Sequence, residues 1–333
     1  MKQIAVIGDG GWGTALAMVL KRNGHAVRVW GPFPEYIEET KQCGENKKFL
    51  PDVPLPPDIE WTADRAAAIR DADAVVLAVP SKFYRAVVES FRGHISPDSV
   101  MVSVTKGLDK DTHRRMTQAA EQILAGHHIV ALSGPSHAEE VARGVPSAVV
   151  AACSDHVVAE YIQHLFNSPL FRVYTSEDTV GVELGGALKN VIAIAAGISD
   201  GIGYGDNTKA ALITRGLAEM TRLGVALGAN PATFSGLSGI GDLIVTCGSA
   251  LSRNRRVGES LGKGDSLETI LSRTEQVAEG VWNCRHAQLL AAEAKVEVPI
   301  TEEVCAIVHE GKDPRTAVTD LLTRDPRPER DRR

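Results

Sequence analysis

The most constraining feature of this chain lies in its first thirty residues. Lys2–Ile7 is an apolar, β-branched run that leads directly into Gly8-Asp9-Gly10-Gly11-Trp12-Gly13. The spacing predicts a helix over Thr14–Asn23, with Ala15, Leu16, Val19 and Leu20 turned inward, a stop at Gly24 and a second strand over Ala26–Trp30. A buried strand, a GxGxxG loop, a helix and a parallel strand form the dinucleotide-binding βαβ unit in its required context. The first glycine, Gly8, allows the tight turn, the second, Gly10, lets a pyrophosphate approach the backbone, and the third, Gly13, lets helix and strand pack closely. The helix start adds amide donors and a favourable dipole for phosphates. No acid closes the second strand, where Trp30-Gly31-Pro32-Phe33 stands instead, so the choice between NAD and NADP is open.

The alternation continues to residue 176. Strands are expected at Ile59–Trp61, Asp73–Pro80, Ser99–Thr105, Ile129–Leu132, Ser147–Ala152 and Phe171–Thr175, with helices between them at Ala63–Ile69, Lys82–Phe91, Met116–Leu124 and Val157–Phe166. Asn46–Pro57 reads as a proline-rich loop. Ser81 is placed to cap the Lys82–Phe91 helix, and Ser136 with Glu139 has capping-box spacing. Right-handed crossovers then give a doubly wound, Rossmann-like, mostly parallel sheet with helices on both faces. Lys106-Gly107 emerges at a strand's carboxyl end, where open α/β sheets gather their ligands.

Beyond Ser176 the period becomes helical. The expected division is 1–179 as a dinucleotide-binding α/β domain, 180–322 as an all-α domain, and 323–333 as a charged, frayed tail. Glu183–Asn207 centres the second half. Val180, Leu184, Leu188, Val191, Ala195, Ile198 and Ile202 form one helical face, and Gly185, Gly186, Ala193 and Ala196 leave little bulk around Lys189. Poor solvation disfavours an ammonium and moves a lysine from about 10.4 towards roughly 7–8, the range of a catalytic acid–base. The competing reading is a lysine that snorkels to solvent. Gly236–Gly241 reads as a flexible loop before a helix at Asp242, which on its own reads as a helix cap. Ser252-Arg253-Asn254-Arg255-Arg256 suits a phosphate, since guanidinium groups bind oxyanions in a fork, or else a solvated basic turn. His137 reads as packed or surface-lying, and Gln276–Gly280 is uninformative.

The chain has 333 residues and a net charge of −6, with no basic patch of the kind that nucleic acids need. The start, MKQIAVIGDG, is too short for a signal-peptide core, no apolar run is expected to span a membrane, and the five cysteines form no CxxC pair. These features predict a cytoplasmic protein without zinc or disulfides.

GDGGWGTALA (Gly8–Ala17), VTKGL (Val104–Leu108), SGPSHAEEV (Ser133–Val141), ELGGALKNVIAIAAGISDG (Glu183–Gly201), GLSGIGDLIVTC (Gly236–Cys247), SRNRRVG (Ser252–Gly258) and VAEGV (Val277–Val281) run in order along the chain. Together they resemble the bacterial form of the NAD(P)-dependent glycerol-3-phosphate dehydrogenase family. The resemblance implies reversible hydride transfer between NAD(P)H and dihydroxyacetone phosphate, supplying the glycerophospholipid backbone, without a metal, in a homodimer. It implies Lys189 as proton donor and acceptor, with Lys106 and Asp242 completing the catalytic set. Substrate contacts are implied at Lys106, Gly134, Ser136, Lys189, Asn190, Asp242, Ser252, Arg253 and Asn254. Cofactor contacts are implied at Gly8, Gly10, Gly11, Trp12, Gly13, Pro32, Phe33, Lys106, Ala138, Arg253, Val277 and Glu279. Two other functions fit the front half: a hydroxyacid or ketopantoate-type dehydrogenase, and a non-catalytic dinucleotide sensor.

Overall fold

A computed structural model describes residues 1–273, 277–326, 328 and 329. Gln276, the first residue of the Gln276–Gly280 segment, and residues 327 and 330–333 of the expected tail lie outside them. The described residues form ten strands: β1 (Gln3–Ile7), β2 (Ala26–Trp30), β3 (Glu45–Asn46), β4 (Leu50–Pro54), β5 (Glu60–Thr62), β6 (Ala74–Leu77), β7 (Val100–Ser103), β8 (Ile129–Ser133), β9 (Ser147–Ala152) and β10 (Phe171–Ser176). Eight of them make one sheet in the order β10-β9-β8-β7-β6-β1-β2-β5. All its pairings are parallel except β8 with β9. The centre of the sheet is buried on both faces, because β6, β7 and β8 are apolar at nearly every position. Ile4, Val6, Val27, Val29 and Val76 pack to one side, with the Gly11–Arg22 helix. Ala5, Ile7, Val75, Leu77 and Met101 pack to the other, with the Ser81–Phe91 and Met116–Ile123 helices. The strand order turns at β1, so the crevice above β1 and β6 is the sheet's switch point.

Several local expectations change. Asn46–Pro57 is no plain loop, since β3 and β4 pair antiparallel within it, and Pro34–Cys43 is a helix that the sequence did not announce. Ser81 is the first residue of its helix rather than its cap, and Ser136 caps nothing, because its hydroxyl donates to the Gly134 carbonyl. The first helix begins at Gly11, three residues early.

The second half is helical throughout its described length, from Thr179 onward. Its central helix, Thr179–Ile202, is 24 residues long and, by length and composition alone, apolar enough to cross a membrane, contrary to the sequence reading. Its most apolar window is instead buried inside the protein. The Arg253–Gly262 helix lies against it along two GxxxG patterns. Methyls added at Gly197 and Gly201 would stand 2.0 Å from the Arg255 carbonyl oxygen and 2.2 Å from that of Glu259. Added at Gly258 and Gly262, they would stand 2.0 and 2.4 Å from the carbonyl oxygens of Ile194 and Ile198. Only glycines allow so close a backbone approach. This seam sets the start of the Arg253–Gly262 helix beside Lys189 and Asn190.

The two halves are joined by polar contacts buried between them. Glu183 accepts bonds from Arg115 Nη1 (2.6 Å), Thr117 N (2.9 Å) and Thr117 Oγ1 (2.5 Å). At the chain's end, Arg324 pairs with Glu297 at 2.9 Å, and Arg215 donates to the Glu329 carbonyl at 3.0 Å.

Candidate active site

Lys189 lies nearly three turns into the central helix and is 5% exposed, so it does not snorkel. Its ammonium donates to Asp242 Oδ1 at 2.6 Å and to Thr246 Oγ1 at 2.6 Å. Burial, opposed by Asp242 and reinforced by the charge on Lys106, lowers its pKa to about 8. An ammonium has three N–H donors. The third, with two used, is left for an oxygen in the cavity that Lys189 lines.

Asp242 is 1% exposed and binds both lysines, Lys106 reaching its Oδ2 at 2.8 Å. Burial pushes its carboxyl up, but Lys106 and Lys189 outweigh that and hold it below the usual carboxylate range. Its side chain caps no helix; that position belongs to Gly241. The flexible loop expected before it is a π-turn, Leu237–Gly241, with Ser238 and Gly239 buried. There an added methyl on Gly239 would strike the Phe234 carbonyl oxygen at 2.1 Å, which explains the glycine. Lys106, at the carboxyl end of β7, also donates to the Gly134 carbonyl (2.8 Å) and Ser136 Oγ (3.3 Å), so all its N–H bonds are used. Its own carbonyl is held by Asn190 (3.2 Å) and Asn283 (3.5 Å) from the helical half.

A cavity of about 220 Å³ opens where strand ends and helices meet. Among the residues expected at a site, Gly10, Gly11, Trp12, Lys106, Ser136, Ala138, Lys189, Asn190, Ser252, Arg253, Asn254, Val277 and Glu279 line it. Gly8 and Gly13 stand behind it. A methyl on Gly8 would meet the Ala78 carbonyl oxygen at 2.4 Å, and one on Gly13 would meet that of Gly8 at 2.1 Å, whereas one on Gly10 would meet nothing within 4 Å. The second glycine therefore leaves room for a ligand, and the other two are needed for packing. Pro32 and Phe33 do not line the cavity, and Phe33 is 66% exposed at the end of β2. Gly134 and Asp242 lie beneath the wall and act on it through Lys106 and Lys189.

The basic run is divided by its helix. Ser252 spends its hydroxyl as N-cap, accepting from Arg255 N at 3.2 Å. Arg255 points elsewhere, to Asp200 at 2.6 Å, while Arg253 reaches the cavity and donates to the Val277 carbonyl at 3.4 Å. Asn254 bonds Asn190 Oδ1 (2.9 Å) and accepts from Gly280 N (2.9 Å), which leaves one of its amide hydrogens unused. Glu279 accepts from Ser81 N at 2.9 Å and from the Ser81 hydroxyl, tying the two halves at the cavity rim.

The sequence reading missed Thr246, Asn283 and the place of His137. His137 lines the cavity; burial first, then the charges of Lys189 and Lys106, lower its pKa and favour its neutral form. It also missed a carboxylate at the end of β2. Asp9, from the glycine loop, lays its side chain against Gly31, so an acid is there in space although none is there in sequence.

Family models for the N-terminus and the C-terminus of NAD-dependent glycerol-3-phosphate dehydrogenase match residues 3–159 and 178–319. The chain belongs to the NAD-dependent glycerol-3-phosphate dehydrogenase family. It is 48% identical to a glycerol-3-phosphate dehydrogenase (NAD(P)+) of Fusobacterium nucleatum, over 98% of each chain. It is 50% identical to one of Pelotomaculum thermopropionicum, over 97% of this chain and 93% of that one. Its fold matches a crystal structure of glycerol-3-phosphate dehydrogenase from Coxiella burnetii with TM-score 0.94 and 38% identity, covering 97% of this chain and 99% of the other. As a member of this family, the chain is an NAD(P)-dependent oxidoreductase. The doubly wound sheet and the helical second half are those of the family.

Proposed function

We propose that this family member reduces dihydroxyacetone phosphate to sn-glycerol 3-phosphate, reversibly, and that Lys189 is its proton donor. The observation that carries the reading is the buried Lys189 ammonium, with two N–H bonds fixed by Asp242 and Thr246 and one left over at the cavity. NAD(P)H, when bound along the Gly10–Trp12 loop, supplies the hydride. The open space at Gly10 and the helix start at Gly11 fit its pyrophosphate.

Negative charge grows on the substrate's C2 oxygen, and a proton passes from Lys189 Nζ to that oxygen. In the oxidative direction neutral Lys189 takes it back. Proton transfer of this kind contributes typically ~10²–10⁴ in rate. Asp242 acts as counter-ion, keeping Lys189 charged in a place where burial alone would strip its proton. Lys106, with every N–H engaged, serves as a fixed positive charge. Arg253, the spare amide hydrogen of Asn254 and the helix start behind Ser252 receive the phosphate. Glu279 and Val277 hold the cofactor side of the cavity.

We further place the domain boundary near residue 180, where the last strand gives way to the central helix. The protein is read as a cytoplasmic homodimer that supplies phospholipid synthesis and handles neither nucleic acid nor membrane. The net charge of −6 supports the reading that excludes nucleic acid, and the burial of the apolar central helix the reading that it does not span a membrane. No observation favours the sensor or hydroxyacid readings. The test is oxidation of NADH and of NADPH with dihydroxyacetone phosphate, run beside dihydroxyacetone. Turnover of the phosphorylated ketone alone is expected; equal turnover of both ketones, or of neither, overturns the reading.

A further inference from the structure

Strand β2 ends at Trp30 and is followed by Gly31-Pro32-Phe33-Pro34. In a doubly wound sheet the adenosine ribose of a dinucleotide lies at this strand end, where a carboxylate accepts hydrogen bonds from its hydroxyls. No acid stands on this stretch of chain. Asp9 supplies one from the β1 loop. Its Oδ2 and Cγ lie 2.3 and 2.5 Å from the point that a Cβ on Gly31 would occupy. Gly31 is thus a glycine because the Asp9 carboxylate fills the place of its side chain.

The loop carrying Asp9 is fixed by its main chain. The Asp9 carbonyl accepts from Asn46 Nδ2 at 2.8 Å and from Thr14 Oγ1 at 3.5 Å. The side chain is treated differently. Asp9 is 8% exposed, yet its Oδ2 is buried with no hydrogen-bond partner. A buried, unsatisfied polar oxygen is destabilising, and the few that native proteins keep need an explanation. Burial pushes the Asp9 carboxyl up, opposed by a bond from its own backbone N–H and by the charge on Lys48. A vicinal diol would supply the missing donors.

The main chain beyond β2 offers few donors to a phosphate. Pro32 and Pro34 have no N–H, and Glu35 puts a second acid in the first turn of the Pro34–Cys43 helix. Arg28 is held by Glu60 at 2.9 Å and by the Arg70 carbonyl at 2.7 Å. Cations near this strand end include Lys48, whose charge acts on Asp9, and Arg65, which lies 5.7 Å from the centre of the Trp30 ring.

We propose that Asp9 is the ribose-recognising acid of this chain, accepting from the adenosine 2′-hydroxyl and repelling a 2′-phosphate, so that the protein selects NADH over NADPH. This rests on the dinucleotide reading of the site and names which cofactor it takes. The experiment is equilibrium binding of NADH and of NADPH to the full chain, followed by quenching of tryptophan fluorescence with no ketone present. Wild type is compared with Asp9→Ala and with the shape-preserving Asp9→Asn. Wild type is expected to bind NADH at least about tenfold more tightly than NADPH, the worth of one hydrogen bond to a charged group. Asp9→Ala should weaken NADH by about tenfold while NADPH holds or gains, so that the preference collapses; Asp9→Asn should regain part of the NADH affinity. Equal affinities in the wild type, or a preference for NADPH, overturn the proposal. So does an equal weakening of both cofactors in Asp9→Ala, which would make Asp9 a packing residue only. Because no substrate is used, a failure of dihydroxyacetone phosphate turnover leaves this result standing on its own.

Discussion

Asp242→Asn removes one negative charge and almost no volume from beneath the two lysines. In the intact site Lys189 titrates near 8, where burial lowers it and Asp242, 2.6 Å away, raises it. At an effective dielectric of about 20, a charge pair roughly 3 Å apart is worth about 5 kcal/mol, and water entering the site reduces that. Opposite charges at such range move a pKa by about 1–3 pH units. With Lys106 still repelling it, Lys189 in the variant should lose its proton that much earlier. If its pKa falls to about 6, the protonated fraction at pH 7 drops from about nine-tenths to about one-tenth, and ketone reduction slows roughly tenfold from protonation alone. The oxidative direction, which needs neutral lysine, should suffer less at the same pH. The assay is kcat in both directions from about pH 5.5 to 9.5. Wild type should reduce well below pH 8 and decline above it; Asp242→Asn should show the same decline displaced to acid. A decline that stays near 8 in the variant would refute the assignment of Lys189 as the titrating acid.

Other outcomes follow from the same geometry. Lys189→Ala should cut kcat by about 10²-fold or more while the affinity for NADH, measured by fluorescence quenching, persists. Arg253→Ala should mainly raise the KM for dihydroxyacetone phosphate, about tenfold or more, with a smaller change in kcat; an unchanged KM would exclude it from the phosphate. Gly258→Ala places a methyl 2.0 Å from the Ile194 carbonyl oxygen, a main-chain atom that cannot step aside. Overpacking of this kind costs about 1–3 kcal/mol, to be read as a lower urea midpoint.

The legible parts of the fold were those written in local period. Apolar β-branched runs gave the strands of the large sheet, and small residues around Lys189 marked its burial, since side-chain size bears directly on solvation. Asp9 at Gly31 was hidden because the two are neighbours only across parallel strands, so an acid in one loop serves the end of another strand. The basic run misled for a related reason. Successive residues on a helix turn by about 100°, so Arg253 enters the cavity while Arg255 pairs with Asp200. Ser81 and Ser136 had good capping chemistry, but Glu279 and the Gly134 carbonyl competed for their hydroxyls. The β3–β4 pair was missed because a two-residue strand shows no period.

The glycine seam between the central helix and the Arg253–Gly262 helix has a consequence for how the site is kept in register. Where helices meet through side chains, their spacing shifts with each rotamer and each methylene gained or lost. Here main chain rests on main chain, so the distance from Lys189 to Arg253 and Asn254 is set by atoms common to every amino acid. The seam works as a ruler that side-chain drift in the surrounding core cannot recalibrate, and a change at one of its four glycines alters the measure itself.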